Sequence, residues 1–513
     1  MKRWTLALAA CGLLPAADAA AFCGFYVSGA DAALFNDASQ VVLMRDGTRT
    51  VLSMQNAYKG PPQDFALVVP VPVVLKESDV KTLPHDIFKK VDLLDAPRLV
   101  EYWEQDPCGG GFGPGAGGPG GARPSSRPDG DTVDARGHGV TVEARFTVGE
   151  YEIVILSARD STGLDAWLRE HRYKIPAGAE PFLRPYVQSG MKFFVAKVNI
   201  KKVKAVGGRA VLSPLRMHYD AEDFVLPIRL GLANSAGVQD LIIHILAPEQ
   251  RYEAANYDNV TIPTNLDVDE SVRDQFGAFY AALFDRTVAT HPLALVTEYA
   301  WDASSCDPCP LPALEPGELA TLGADVLGAH GPDDSYVLTR LHLRYPKDFR
   351  GDDIVFRKAH PIAGGREMED DGGRIERRSR PDDWNNFQAR YVIRHAWSGP
   401  ITCTDPQRGM WGPPPPRPGQ QDYDPWAAMQ PRAASDLAFA PRGGIALGKV
   451  IAEDVPEIGV KQGDATLAPP TLGAPGAVNK RSGCACRGSG SGQMVGAAFI
   501  ALAALAIGRR RRC

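Results

Sequence analysis

The stretch Val140-Thr141-Val142-Glu143-Ala144-Arg145-Phe146-Thr147-Val148 decides the fold class. Its apolar residues alternate with polar ones, the period of two that turns one face of a half-buried strand toward a core. Tyr151–Leu156 is more continuously apolar and reads as a more fully buried strand. Upstream, Gln40–Met54 is rich in Val, Leu and Thr and breaks at the turn Arg45-Asp46-Gly47. The apolar run Phe65–Val74 contains Pro70 and Pro72, whose missing N–H groups fall along one side, so it predicts an edge strand or one leaving its sheet. A helix is predicted after Pro84, with Ile87, Phe88, Val91 and Leu94 at helical spacing.

Downstream, Thr162 and Asp165 suit a helix start, with Leu164, Trp167 and Leu168 as its apolar face. Further strands are predicted at Met191–Ile200, Phe224–Leu230, Leu241–Leu246, Tyr336–Tyr345 and Tyr391–Trp397. Val272, Phe276, Phe279, Tyr280, Leu283 and Phe284 form the apolar stripe of an amphipathic helix. Strands outnumber helices, so the expected class is α+β and strand-dominated: a mixed sheet with a few packed helices. Residues 109–128 hold nine Gly and four Pro, and the segment 109–131 reads as a loop. A G-x-G-x-x-G match begins at Gly113, but no strand precedes it and no helix can follow, so it carries no nucleotide reading. Residues 365–382 read as a charged loop, and 404–483, with thirteen prolines, as a semi-extended stalk with a short ordered piece around Ile445–Val455.

The chain has 513 residues, 44% of them hydrophobic and 23% charged, room for a sizeable core. A formal charge of −5 gives no footing for nucleic acid. Both ends read as addresses. Lys2 and Arg3, the apolar stretch Leu6–Leu14 and the small residues up to Ala21 follow the order of a secretory signal peptide, with cleavage after Ala19 or Ala21 by signal peptidase. A rival reading takes Leu8-Ala9-Ala10-Cys11 as a lipoprotein box, although the apolar region before it is short. At the other end, the apolar run Met494–Ile507 precedes Arg509, Arg510, Arg511 and Arg512. Fourteen residues reach ~21 Å as a helix, short of a ~30 Å hydrocarbon core, and the arginines hold that end in the cytoplasm. Residues 1–20 carry a net +1 and 485–513 a net +5, leaving the exported body at about −11.

With the Cys484-Ala485-Cys486 motif before it, this tail resembles the MYXO-CTERM surface-sorting signal. That resemblance implies a sorting protease, with Cys484 or Cys486 as the processing and lipid-attachment site; an uncleaved single-span anchor is the rival. The body carries a second resemblance. Its residues are Phe22–Val27, the Arg45-Asp46-Gly47-Thr48 turn, Asp64–Pro72, Pro97–Tyr102, Gly149–Glu152, Leu226–Gly231, Glu298–Trp301 and Cys306–Cys309. Over roughly residues 22–403 they resemble domain of unknown function 2330, an exported bacterial family. The family has no established activity, so the resemblance implies no catalytic residues. The expected organisation is signal peptide 1–21, exported domain 22–403, stalk 404–483 and sorting tail with a hydrophobic helix 484–513.

Five cysteines belong to the body: Cys23, Cys108, Cys306, Cys309 and Cys403. Export makes disulfides the default, and an odd count leaves one thiol free or paired elsewhere. Cys306-Asp307-Pro308-Cys309 suits a cross-linked loop, a redox centre or, lacking a second such pair, only weakly a metal site. Pro310 and Pro312 stand against the helix that a redox motif wants after it. None of the ten histidines forms H-E-x-x-H, and no nucleophile elbow or phosphate loop occurs, so neither catalytic residues nor a cofactor is implied. Arg340, His342 and Arg344 share one strand face: a seat for an anionic ligand or, as the plainer reading, a solvated face paired with acids on a neighbouring strand. Arg394 and His395 lie on another strand. Asp267, Asp269, Glu270 and the run Glu367–Asp371 lack the spacing of a calcium loop. The expected role is an envelope-anchored interaction or scaffold protein with an unidentified surface ligand, the alternative a thiol–disulfide protein using Cys306 and Cys309.

Overall fold

The computed structural model describes residues 25–27, 39–55, 66–108, 135–137, 139–171, 173, 175, 178–199, 201–206, 209–234, 238–346, 348–349, 351–366, 376–415, 431–433 and 444–467. In chain order the main elements are β1 (Ser39–Asp46), β2 (Arg49–Met54), β3 (Ala66–Val71), α1 (His85–Asp95), β4 (Arg98–Glu104), β5 (Val140–Val148), β6 (Tyr151–Ala158), α2 (Ser161–Glu170) and α3 (Glu180–Gln188). There follow β7 (Lys192–Val198), β8 (Leu215–Asp220), β9 (Gln239–Pro248), α4 (Phe276–Thr290), β10 (Leu295–Asp302), β11 (Tyr336–Tyr345), β12 (Asn386–Gln388) and β13 (Arg390–His395). The class is α+β, with strands dominant.

Two sheets face each other. The first is antiparallel, in the order Phe25–Val27, β3, β7, β6, β5, Ala135–Gly137. The second is mixed and runs β12, β10, β11, β9, β1, β2, β8 through its centre, with β9 and β1 parallel. Alternation sorts their side chains. Leu67, Val69, Ile153, Ile155 and Phe194 from the first sheet meet Val41, Leu43, Ile243, Leu341 and Leu343 from the second in the main core. On the far side of the first sheet, Val68, Leu156, Phe193 and Val195 pack on α2 and α3 through Leu164, Trp167, Leu168 and Leu183. On the far side of the second, Val42, Met44, Leu246 and Leu338 pack on α1 through Phe88, Val91 and Leu94.

Several boundaries move for local reasons. α2 begins at Ser161 because Asp160 caps it, its Oδ1 accepting from Gly163 N at 2.6 Å. The strand expected over Phe224–Leu230 shrinks to Val225–Leu226, since Pro227 follows and the chain turns into a short 3₁₀ helix at Arg229–Asn234. β3 is not the outermost strand, but its ladder with Phe25–Val27 stops at Val68, before Pro70. Arg380–Pro381 of the expected charged loop pairs with Ile362–Gly364, while 367–375 lie outside the described residues.

Beyond Cys403 the expectation was a semi-extended stalk with a short ordered piece around Ile445–Val455, and the described residues there both pair and pack. Trp411–Gly412 and Arg432–Ala433 both pair antiparallel with β4, which also pairs in parallel with β13. Ile445, Leu447, Ile451, Val455, Ile458 and Val460 are buried against α4 and β13 in a core of their own. Among the described residues the compact unit therefore continues to Leu467. Pro and Gly content signalled an extended segment, but the apolar residues between the breakers find a helix face to cover. No helix among the described residues is long and apolar enough to cross a membrane, and the run 494–507 lies outside them.

Candidate functional site

β11 sets its odd and even residues on opposite sides, and the even ones include Arg340, His342 and Arg344. This face is largely withdrawn from solvent, with Arg344 partly exposed. It lies under α1 and α4, and Arg340 is wholly buried. Each cation finds carboxylates from a different element. Arg340 Nε donates to Glu298 Oε2 of β10 at 2.7 Å, and its Nη1 to Asp92 and Asp95 of α1 at 2.7 and 2.8 Å. Arg344 Nε donates to Asp240 of β9 at 2.8 Å, its Nη1 pairs with Asp285 of α4, and its guanidinium lies over the Phe284 ring. The acids come from neighbouring strands and from two helices, so this is an internally paired, largely buried face.

His342 stands between two of these carboxylates. Its Nδ1 is 2.8 Å from Glu298 Oε1 and its Nε2 3.1 Å from Asp240 Oδ1, while Phe284 stacks on the ring at 3.8 Å between centroids. An ionised carboxylate only accepts, so both ring nitrogens must donate and the side chain is an imidazolium. Burial opposes that charge, yet Glu298, together with the hydrogen bond to Asp240, outweighs it and raises the histidine pKa. Burial likewise pushes Glu298 upward, but His342 and Arg340, with a hydrogen bond from Tyr280, hold it at about 2. Asp240 is held below the usual carboxylate range against its burial by Arg344 and His342, whereas burial raises Asp285.

The network extends to His244, whose Nδ1 lies 2.6 Å from Asp95 Oδ2. Asp92, Asp95 and His244 bring three metal-ligating atoms within 4.8 Å of one another. Arg340 Nη1 already sits on both carboxylates, so a cation would have to displace the guanidinium that neutralises them. The arrangement is that of an ion-pair network. The sequence hid this cluster, because 149 residues separate Asp95 from His244.

Of the cysteines, Cys108 and Cys403 form a disulfide with Cα atoms 5.5 Å apart, and Cys306 and Cys309 a second at 4.9 Å. The first closes a span of 295 residues and the second a span of three. On chain-entropy grounds the long closure stabilises by ~5 kcal/mol and the short one by ~2 kcal/mol. No helix follows Cys309 directly; the next begins at Pro316, with Glu315 and Glu318 forming a capping box. Cys23, Cys484, Cys486, Ala19, Ala21 and Arg509 to Arg512 lie outside the described residues. Arg394 donates to Asp267 at 2.8 Å and lies over Trp411; His395 stacks on Trp103 and meets Glu101 at 2.9 Å. Asp267, Asp269 and Glu270 are spread over separate partners: Arg394, the Ser271 amide and Arg273.

A family model described as "Uncharacterized protein conserved in bacteria (DUF2330)" matches residues 16–357. Neither the curated proteins nor the solved structures give a match to this chain.

Proposed function

We propose that this chain, which belongs to the DUF2330 family of bacterial proteins, is exported and held at the cell envelope as an interaction or scaffold protein. The observation that carries the reading is the pairing of four body cysteines into two disulfides, chemistry that persists in oxidising compartments outside the cytosol. It agrees with the signal-like N-terminus and the Cys-containing, Arg-ended tail. The scaffold role is supported by how the body spends its charged groups. Arg340, His342, Arg344 and their acids are locked into one another beneath two helices, where they stiffen the fold and present nothing to a substrate.

The test is the intact mass of the protein isolated from envelopes, with and without thiol alkylation. The expected species begins after Ala19 or Ala21, ends near Cys484, and takes up no alkylating agent at Cys108, Cys306, Cys309 or Cys403 before reduction. A chain retaining residues 1–21 and found in the cytosol would overturn export. A full-length tail would overturn sorting and leave the single-span anchor.

A further inference from the structure

All four residues of the loop Cys306-Asp307-Pro308-Cys309 are half-exposed, yet the carbonyls between its cysteines are gripped from inside. Arg98 Nη1 donates to Pro308 O at 2.6 Å, and Gln388 Nε2 donates to Asp307 O. Both side chains are buried, at 0% and 1% exposure. Arg98 reaches further: its Nη2 donates to Leu94 O at 2.6 Å, in the last turn of α1, and its guanidinium lies over the Tyr299 ring. α1 is the helix whose Asp92 and Asp95 hold Arg340. One buried arginine thus joins an accessible disulfide to the helix that anchors the charge network.

We propose that Cys306–Cys309 is a reversible thiol–disulfide exchange site for a dithiol reductant in the surrounding compartment, and that Arg98 transmits its redox state to α1. In reduction, a thiolate of the dithiol attacks one sulfur of the pair. The Cys306–Cys309 bond breaks, and the departing cysteine leaves as a thiolate that takes a proton from water. The dithiol's second thiolate then attacks the mixed disulfide. The reductant leaves as a disulfide, and its two electrons rest on Cys306 and Cys309. Redox motifs commonly place a helix N-terminus beside the attacking sulfur; here no helix begins at Cys309, and the buried Arg98 guanidinium, hydrogen-bonded to Pro308 O between the two cysteines, supplies the positive charge that favours thiolate. Arg98 and Gln388 are positioning residues, since their bonds are to the loop backbone.

The test equilibrates the full chain in glutathione buffers of graded ratio. Differential alkylation with peptide mass reads each cysteine, and far-UV circular dichroism reads the fold. Imidazole proton resonances read His244 and His342. The Trp301 contribution to emission, isolated with Trp301→Phe, reads the loop, because Trp301 Nε1 lies 3.2 Å from Ser305 Oγ. Cys306 and Cys309 are expected to open and close together with circular dichroism unchanged, while Trp301 emission and the histidine resonances shift in step. Arg98→Met is expected to move the glutathione equilibrium toward the disulfide by about tenfold, through loss of thiolate stabilisation. Should that variant not fold, Gln388→Leu and the unaltered chain decide. Alkylation of Cys306 and Cys309 only on unfolding would overturn the exchange site. Reduction that leaves the histidine resonances in place would overturn the transmission.

Discussion

Arg340 shows at the residue level what holds this molecule and how little of it a sequence displays. Three cationic residues at alternate positions of a strand are legible as sharing a face; that the face is buried is not, because Arg and His read as surface residues until their partners are known. Those partners are distant: Asp92 lies 248 residues from Arg340, and Asp240 lies 102 from His342. Replacing Arg340 by Met leaves buried Asp92, Asp95 and Glu298 without their common cation, and is expected to cost about 3–5 kcal/mol, read from the urea midpoint. His342 gives a pH dependence of definite sign. Its folded pKa is raised, by Glu298 and Asp240 over the opposition of burial, so its contribution is complete below about pH 6.5 and is lost as pH rises through the folded value. Glu298, depressed to about 2 by His342 and Arg340, contributes above about pH 4.5 and loses that contribution as pH falls toward 2. Urea midpoints of the unaltered chain are expected to fall toward both extremes, and His342→Gln is expected to remove the slope on the alkaline side.

At the level of elements, alternation served where one face is dry and gave no signal where both are, leaving residue type as the only guide there. β5 alternates and was legible; β11 was legible from its aromatic and β-branched content. β10 was not assigned as a strand. It is buried along almost its whole length, and a bulge between Thr297 and Tyr299 breaks its register, so no period of two survives. The ordered piece expected around Ile445–Val455 is present and runs on to Val460, with six apolar residues doing its packing; what composition did not reveal is the helix face that they cover. Gly448 shows how close that packing is, for an added Cβ would stand 2.2 Å from Lys461 O. Gly448→Ala is therefore expected to loosen the segment, and Ile458→Ala to cost about 2–4 kcal/mol. Truncation after Cys403 is expected to expose the covered face of α4. Hydrogen exchange over Phe276–Thr290 measures this; protection unchanged by truncation would show that the segment is a passenger.

For the whole molecule, stability is shared among the inter-sheet core, a helix-covered charge network and a long-range covalent tie. Cys108 and Cys403 tie the segments that follow β4 and β13, two parallel neighbours whose chain connection runs through most of the protein. Replacing both by Ser is expected to lower stability by about 2–5 kcal/mol, and replacing Cys306 and Cys309 together by about 2 kcal/mol or less, in denaturation of the oxidised proteins. The long tie has a further consequence. The Gly- and Pro-rich stretch 109–131 begins next to Cys108, so any cut within it separates a piece bearing Cys108 from a piece bearing Cys403. A protease that nicks the chain there would leave both pieces fastened together, one band in a non-reducing gel and two once reductant is added. A cut within that stretch would then release neither piece from the other.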